Sequence, residues 1–281
     1  MNKNLTFLNF ADDDERRIVL SALELAERSK NQDAVISSFL NMREQKLVKT
    51  ALLSDGSFCF TFFGGYRDAE RAVLLCFPEY LAYSMMLEPG YIELNGDELF
   101  SYCRENTRDL VSLVHISCSD FVKLTHRDYM GAILALGIER STIGDIIVNS
   151  EHDAFVFLLS KIADYVCFNL QTVGRTPVKA VICNDYSGLK IKQNTTESSY
   201  VATSLRFDCV VSSITGISRD KSKTMIKQGL CELNYYSKAS PDDSVTDGDI
   251  ISVRGYGKYR IADTSGVTSK GKSRITVLKY I

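Results

Sequence analysis

Two kinds of apolar spacing alternate between residues 110 and 183, and their order limits the fold more than any other feature of the chain. Four runs are short and apolar, as in buried strands, and two longer segments repeat apolar residues at helical spacing. In chain order these are "LVSLVHI", "HRDYMGAILALG", "IGDIIVN", "AFVFLLS", "KIADYVCFNLQTVG" and "VKAVIC". The pattern predicts strand, helix, strand, strand, helix, strand, with the first helix ended by Gly137.

That order of elements is the ferredoxin-like arrangement, which many RNA-recognition domains share. A fold of this type does not establish binding by itself. The strands also lack the aromatic signature with which such domains stack bases on their sheet. RNA binding and a structural role therefore both stay open for this middle region.

The N-terminal region is predicted to begin with two helices. "DDDERRIVLSALELAERS" has apolar residues near helical spacing and acids in its first turn, where the helix dipole favours them. "NMREQKLVKTALLS" is predicted to be a second helix, capped by its first residue. The runs "SFCFTFF" and "RAVLLCF" then flank "GGYRDAE", which indicates two strands joined by a loop.

Charge is distributed unevenly along the chain. From Ser204 to the end there are 13 Lys and Arg and 8 Asp and Glu, or +5, which leaves 20 and 27, or −7, for residues 1–203. A mildly acidic body with a basic tail domain suggests a nucleic-acid partner, although a solvated surface can give the same count. We predict an α+β protein with a helical, hairpin-containing α/β region over 1–78, a ferredoxin-like domain over 79–185, and a basic domain with flanking strands over 186–281.

Several other classes of protein are disfavoured. The longest apolar runs, such as "AVLLCF", are too short to cross a bilayer, and the N-terminus runs into acids instead of forming a signal peptide. We therefore expect a cytoplasmic protein without a membrane partner. The eight cysteines include no CxxC pair, and the three histidines are not spaced with them as metal ligands. We expect reduced cysteines, no metal site and no cofactor.

Three short motifs resemble enzyme motifs but lack the neighbouring residues that those enzymes require. "HRD" at 126–128 is found in kinase catalytic loops, but the Asn required five residues after its Asp is absent. Thr125 and Asp128 are better explained as a capping pair at a helix start. "DKSKT" at 220–224 resembles a synthetase loop without its nucleotide-binding partner, and "GYGK" at 255–258 lacks the third glycine of a dinucleotide site. We predict no catalytic residues and no enzyme activity.

The basic domain contains one helix with cations along a single ridge. The helix lies within "SRDKSKTMIKQG", residues 218–229. The ridge cations recur at i, i+4 and i+8 and are Arg219, Lys223 and Lys227. Met225 and Ile226 point elsewhere into a predicted core, and Gly229 ends the helix. A ridge of cations on a helix suits phosphate groups.

Short strands follow this helix and bring further cations. "LCELN" alternates apolar and polar residues, as expected of a half-buried strand, and the turn "TDGD" leads into "IISVRGYGKYRI". The last segment carries Arg254, Lys258 and Arg260, which we expect to support the helical ridge.

Six short pieces of this region occur in an order that matches one known domain. They are "RFD" at 206–208, "SR" at 218–219, "IKQG" at 226–229, "LN" at 233–234, "DGD" at 247–249 and "ISVRG" at 251–255. The region closely resembles the RNA-binding domain named after ribosomal protein S-four, also called the αL motif. The resemblance implies two helices packed on a small sheet that present basic and polar groups to structured RNA. The residues it places on the RNA side are Arg206, Ser218, Arg219, Lys223, Lys227, Asn234, Arg254, Lys258 and Arg260. It implies that Asp208 positions neighbouring arginines.

Further stretches extend a resemblance over nearly the whole chain. "LTHRDYMGAILALGIERSTIGDIIV", "IADYV" and "VGRTPV", with a helical N-terminal region and the basic domain last, are similar to the bacterial YlmH family. The resemblance implies a non-catalytic RNA-binding protein of ribosome-associated quality control, whose genes often lie near cell-division genes. Its implied partners are structured ribosomal RNA on the large ribosomal subunit, tRNA, and other quality-control or cell-division proteins.

The middle region offers a candidate second RNA contact. Lys123, His126 and Arg127 lie around the start of a predicted helix, where they could touch phosphate. Capping and solvation of that helix explain these residues equally well.

Two other functions remain open. S-four domains are also appended to RNA-modifying enzymes of the pseudouridine synthase type, but residues 1–203 show no recognisable motif with a catalytic Asp. The other alternative is a cell-division-linked interaction scaffold whose last domain no longer binds RNA. In that case charge reversal at Arg219 and Lys223 would leave its localisation unchanged.

Overall fold

The chain divides into two compact units, Met1–Lys192 and Gln193–Ile281. The computed structural model describes residues 5, 8–30, 35–56, 58–67, 69–84, 90–94, 101, 103, 105, 110–118, 124–183, 195–268 and 271–280. Helices and antiparallel sheets in both units make the protein α+β. The finer boundaries proposed at residues 78 and 185 stay predictions.

Two capped helices open the first unit, as predicted. Helix α1 (Asp13–Ser29) begins after Asp12, whose carboxylate accepts a hydrogen bond from the Glu15 backbone. Helix α2 (Met42–Asp55) begins with a capping box, because the side chains of Asn41 and Glu44 each accept a backbone N–H from the other residue.

A three-stranded antiparallel sheet follows in the order β1-β3-β2. Its strands are β1 (Val35–Leu40), β2 (Cys59–Phe63) and β3 (Ala72–Phe77), and the short helix α3 (Glu79–Ser84) comes next. The predicted pair β2 and β3 is confirmed, whereas β1 was not predicted. Two serines interrupt the apolar alternation in β1, and the Ser37 hydroxyl accepts a hydrogen bond from the Leu74 backbone at 2.9 Å.

A five-stranded antiparallel sheet completes the first unit in the order β5-β6-β4-β8-β7. Its elements are β4 (Val111–Cys118), α4 (His126–Leu134), β5 (Ile143–Val148), β6 (Asp153–Leu159), α5 (Ser160–Asn169), β7 (Thr172–Val173) and β8 (Thr176–Cys183). The predicted alternation of strands and helices is confirmed. The second helix was predicted to reach Gly174, which is wrong, because Thr172 and Val173 pair with β8 across a turn with Gly174 at φ 61°.

Both faces of this five-stranded sheet are covered. One face packs against α4 and α5 through residues such as Val156, Tyr129 and Val166. The other face packs against the three-stranded sheet, with Phe157 fully buried among residues of both sheets. A Cβ at Gly65 would lie 2.1 Å from the Phe157 ring, so the approach of the two layers requires a glycine there. Helices α1 and α2 cover the outer side of the three-stranded sheet, which gives four layers.

A partly buried carboxylate fixes the β2–β3 loop to strand β5. Asp145 accepts hydrogen bonds from the Tyr66 hydroxyl at 2.8 Å and from the backbones of Glu70 and Arg71 at 2.7 and 3.2 Å. Burial raises the pKa of Asp145, although these hydrogen bonds oppose the shift. The Arg71 guanidinium in turn donates to the Ile143 carbonyl at 2.9 Å.

The second unit is a five-stranded antiparallel sheet with two helices, in the strand order β10-β11-β12-β13-β9. Its elements are β9 (Thr195–Ala202), α6 (Phe207–Thr215), α7 (Arg219–Lys227), β10 (Cys231–Leu233), β11 (Ile250–Val253), β12 (Gly257–Val267) and β13 (Ser273–Tyr280). Residues 184–194 lie outside the described part of the chain, and β9 pairs with β13 from end to end as an edge strand.

Helices α6 and α7 cover one face of this sheet. Their apolar residues, among them Phe207, Val211 and Ile226, form a single core with Tyr259 and Ile261 of β12. Among the residues that the structure describes, no helix is long and apolar enough to cross a membrane. No three His, Cys, Asp or Glu side chains in those same ranges gather as metal ligands would.

Candidate nucleic-acid interface

Helix α7 has the orientation that its sequence predicted. Ser218 caps it by accepting a hydrogen bond from the Lys221 backbone at 3.3 Å. Met225 and Ile226 are buried at 9% and 1% exposure, which confirms the predicted core side of the helix. The ridge cations Lys223 and Lys227 therefore lie away from the core.

A buried carboxylate gathers cations from both helices. Asp208, in the first turn of α6, has no exposed surface. It accepts hydrogen bonds from Nε of Arg219 at 2.9 Å and from Nε and Nη2 of Arg206 at 3.3 and 3.4 Å. The ammonium of Lys223 lies 3.8 Å from the same carboxylate. We name Arg206, Arg219, Lys223 and Lys227 the α7 cation cluster.

Backbone contacts hold Asp208 at this position. Its N–H donates to the Pro241 carbonyl at 3.0 Å. Its own carbonyl accepts from the hydroxyl of Ser222, which is fully buried and also donates to the Arg219 carbonyl at 2.8 Å. The small polar side chain at 222 thus joins the two helices where the cations meet.

The electrostatics keep the carboxylate ionised. Burial raises the pKa of Asp208, but hydrogen bonds from Arg219 and Arg206 outweigh burial and hold the pKa below its usual range. The hydrogen bond to Asp208 also raises the pKa of Arg219. Arg219 and Lys223 remain 46% and 39% exposed, so each is anchored at the core and still reaches solvent.

Arg254 lies near the far end of α7. Its backbone N–H donates to the Leu230 carbonyl at 2.9 Å, three residues beyond Lys227, and its side chain is exposed. This bond joins the start of the β11–β12 turn to the segment that follows α7, and contact of the Arg254 side chain with RNA stays a prediction.

Two other predicted cations lie on the opposite side of the sheet. Tyr259 and Ile261 of β12 are buried beneath the helices. Because strand residues alternate between faces, Lys258 and Arg260 face away from α6 and α7. The predicted RNA-binding set is therefore divided between a helical surface and a sheet surface.

Two predicted contact residues have structural roles in the second unit. Ser218 is the N-cap of α7. The Asn234 amide donates to Asp249 at 2.7 Å and accepts from the Ile250 backbone at 2.9 Å, so both of its polar atoms are engaged within the protein. RNA contact by either residue stays a prediction.

The predicted second contact in the first unit lies at the start of α4. His126 and Arg127 are exposed there, whereas Lys123 lies outside the described residues. The Asp128 carboxylate accepts hydrogen bonds from the Thr125 backbone and hydroxyl at 2.7 and 2.6 Å, and these bonds lower the pKa of Asp128. The geometry supports the capping interpretation of this segment.

Sequence reasoning missed three residues beside the cations. Asp242 forms a salt bridge with Arg206, and the rings of Tyr235 and Tyr280 flank Lys258. A loop between β10 and β11 brings Asp242 to its partner from 36 positions away, so no local pattern reveals the pair.

Comparison with known proteins places these features in a family. The chain is 31% identical over 265 residues to "Ribosome-associated protein quality control protein P2" of Bacillus subtilis (strain 168), which covers 94% of each chain. Residues 108–185 match the family described as "Putative RNA-binding domain in YlmH". The chain belongs to the YlmH family. The YlmH match coincides with the five-stranded sheet of the first unit, from β4 to β8.

A solved structure of a YlmH protein is also similar. It is described as "Cell division protein ylmH from Streptococcus pneumoniae", with 20% sequence identity and a TM-score of 0.47. The similarity covers 65% of this chain and 98% of that one.

Proposed function

We propose that the chain binds structured RNA through the α7 cation cluster. The observation that carries the proposal is the buried Asp208, which orients Arg206, Arg219 and Lys223 while leaving their side chains partly exposed. Cations that are fixed before binding lose less conformational entropy when they meet phosphates. Neutralising phosphates releases counterions, so binding through this cluster weakens steeply with salt.

The proposed ligand is folded RNA whose shape supplies much of the specificity. The cluster lies on rigid helices, and its groups are cations suited to phosphates, as in the shape-based recognition of RNA helices. The order of the S-four-like pieces in residues 206–255 supports an αL domain in this unit. In the first unit the strand order β5-β6-β4-β8, with α4 and α5 on one face, supports a ferredoxin-like domain.

We propose that the RNA is ribosomal RNA of the large subunit and that the protein acts in ribosome-associated quality control, with tRNA as a further contact. The name of the B. subtilis relative supports ribosome association and quality control, and the description of the matched family supports RNA binding. The large subunit and tRNA come from the family resemblance described above. Since the relative is named for the ribosome and for quality control, we propose a non-catalytic role in the cytoplasm.

Sedimentation of a cell lysate tests the proposal. The native chain is compared with a variant in which Arg219, Lys223 and Lys227 are changed to Glu, and the RNA that co-purifies is sequenced. We expect the native chain to migrate with large subunits carrying ribosomal RNA and tRNA, and the variant to stay at the top of the gradient. Raising the salt should release the native chain in the same way.

A matched control reverses three exposed cations of the first unit, Arg16, Arg28 and Lys46, which changes the net charge by the same amount. This control should migrate like the native chain. Equal migration of the native chain and the α7 variant would overturn the proposal, and equal loss with the control variant would reduce it to a nonspecific charge effect.

A further inference from the structure

The face of the second sheet that points away from α6 and α7 carries its own group of side chains. The β12–β13 register pairs Tyr259 with Lys279 and Arg260 with Leu278, so Lys258 lies beside Tyr280. The β11–β12 register places Ser252 opposite Lys258. We name this surface, formed by Tyr235, Lys258, Arg260, Leu278 and Tyr280, the outer sheet face.

Tyr235 has a backbone conformation that disfavours its own side chain. Asn234 and Tyr235 have φ of 52° and 63°, and Leu233 and Tyr236 exchange hydrogen bonds of 3.3 and 2.9 Å. These features define a two-residue type I′ turn, in which Asn followed by Gly is the favoured pair. A bulky residue at positive φ is strained, and such strain is found where a side chain has a function.

The tyrosine ring is held over the sheet by a cation. The Lys258 ammonium lies 2.8 Å from the Tyr235 hydroxyl, 4.9 Å from the centroid of that ring and 5.1 Å from the centroid of Tyr280. A cation within about 6 Å of a ring centroid is attracted to the ring face. Lys258 therefore brings two aromatic rings together on one surface.

The positive charge on this face lies on its middle strands, and negative charge lies on its edge strands. Arg260 is exposed beside Lys258 on β12. Glu232 lies opposite Ser252 on β10, and Glu197 lies opposite Leu278 on β9, so carboxylates border the cations on both sides. An RNA duplex laid across the sheet would bring phosphates over these acids. A single strand running beside Lys258 and Arg260 would meet these cations and avoid the edge acids, and Asp263, opposite Thr276 farther along β12, marks the limit of this path.

We propose that the outer sheet face binds unpaired nucleotides of RNA. Bases stack on the rings of Tyr235 and Tyr280, and Lys258 and Arg260 neutralise the adjoining phosphates. Aromatic rings combined with cations are the usual means of binding single-stranded RNA. The inference rests on the proposed RNA-binding function for its ligand class, but it depends on different residues from the α7 cation cluster.

Two RNA probes and the full-length chain test the inference by fluorescence anisotropy. One probe is a blunt hairpin, and the other is the same hairpin with an unpaired tail of about five nucleotides. Tyr235→Gly should weaken binding of the tailed hairpin by about tenfold and leave the blunt hairpin unchanged. Because glycine adopts positive φ without strain, this variant should be at least as resistant to thermal unfolding as the native chain.

Charge variants separate this inference from the proposed function. Arg260→Glu should act like Tyr235→Gly, whereas Arg274→Glu, farther along the same sheet, should have no effect on either probe. Lys223→Glu should weaken both probes equally. If Lys223→Glu changes the affinity for neither probe, the proposed function fails. The inference about the outer sheet face is still decided separately, by whether Tyr235→Gly weakens binding of the tailed probe and not of the blunt one.

Cross-linking supplies a direct readout. A tail containing 4-thiouridine should cross-link under ultraviolet light to the peptides that carry Tyr235 or Tyr280. Native affinity of Tyr235→Gly for the tailed hairpin would overturn the inference, and so would an equal loss on both probes. If Tyr235→Gly kept native affinity for both RNA probes but no longer sedimented with ribosomes, the inference would also be overturned, and this face would be assigned to a protein partner.

Discussion

The two units contain sheets of the same size that differ in what covers them. Each sheet has five antiparallel strands and a pair of helices on one face. In the first unit the three-stranded sheet buries Leu113 and Phe157 on the other face, whereas in the second unit that face carries Lys258 and Arg260. The contrast shows that five strands with a pair of helices do not by themselves determine where a sheet can bind, since the layer packed on the second face decides whether that face remains available.

The two carboxylates that anchor other groups, partly buried Asp145 in the first unit and fully buried Asp208 in the second, also differ in their partners. Asp145 is held by a hydroxyl and two backbone N–H groups, and burial raises its pKa. Asp208 is held by guanidinium groups, which outweigh burial and lower its pKa. The first arrangement joins two layers, and the second positions charges at a surface.

The largest expected effect is a loss of stability when a residue is truncated on the covered face of the first unit's five-stranded sheet. Phe157→Ala should destabilise the first unit by about 3–5 kcal/mol, because it leaves a cavity between two sheets. Urea unfolding followed by hydrogen exchange, resolved by peptide, measures each unit separately. Arg260→Ala on the outer sheet face is the matched control and should change stability by no more than about 0.5 kcal/mol. Similar losses of unfolding free energy in Phe157→Ala and Arg260→Ala would contradict the contrast between a covered and an exposed sheet face.

Removing the charge at the centre of the cation cluster should have the next largest effect. Asp208→Asn replaces a buried carboxylate that accepts bonds from two arginines, so we expect a loss of about 1–3 kcal/mol in the second unit. The same change should weaken RNA binding, although it makes the protein more positive. Stronger RNA binding by this variant would mean that total charge, and not the orientation of Arg206 and Arg219, controls affinity.

Acid should affect the two carboxylates with opposite signs. The pKa of Asp208 is lowered by folding, so its stabilising contribution is present above the unfolded pKa and is lost as pH falls through the folded pKa. The pKa of Asp145 is raised by folding, so the native state binds this proton more tightly than the unfolded state does. The contribution of Asp145 to the free energy of unfolding therefore increases as pH falls through the folded pKa toward the usual carboxyl range. Peptide-resolved hydrogen exchange of Asp208→Asn and Asp145→Asn between about pH 3 and pH 7 should show slopes shifted in opposite directions. Shifts of the same sign would contradict this assignment.

The smallest expected effect concerns a single exposed acid. Asp242 forms a salt bridge with Arg206 and is itself 67% exposed. Asp242→Asn should raise RNA affinity by about twofold, because it frees Arg206 for phosphate and removes a like charge from the site. Titration of the blunt hairpin at low and physiological salt measures the change. Asp247→Asn, also exposed and between β10 and β11, is the control and should leave the affinity closer to native.

Local patterns were sufficient to predict most of the elements. The capped helices α1 and α2, the order β4-α4-β5-β6-α5-β8 and the buried side of α7 all follow from spacing and capping residues. Strand β1 was missed because its serines hide the alternation, and α5 was drawn too long because "QTVG" has no strong helix stop. The first error arises where pairing with a strand distant in sequence overrides local preference, and the second where a tight turn at Gly174 pairs Thr172 and Val173 with the next strand.

The candidate site was predictable only in part, for a related reason. The i, i+4 spacing of Arg219 and Lys223 identifies a ridge, but it contains no information on the carboxylate that anchors them. Lys258 and Arg260 were expected to support that ridge, and the strand alternation that places them on the other face becomes decisive only once the helices are packed. The positive φ of Tyr235 belongs to the tight turn closed by Leu233 and Tyr236, which the sequence does not indicate because it lacks the Asn-Gly pair that favours such turns.

The position of β9 has a consequence for how the second unit forms. Strand β9 is the first element of this unit to be synthesised, yet its partner in the sheet is β13, the last. The residues of the α7 cation cluster lie between β9 and β13 in the sequence, within the segment whose two ends meet when these strands pair. Contacts between residues so far apart in sequence slow folding. A growing chain therefore completes its sheet only after the segment Ser273–Tyr280 has emerged, and until then β9 is an edge without a neighbour.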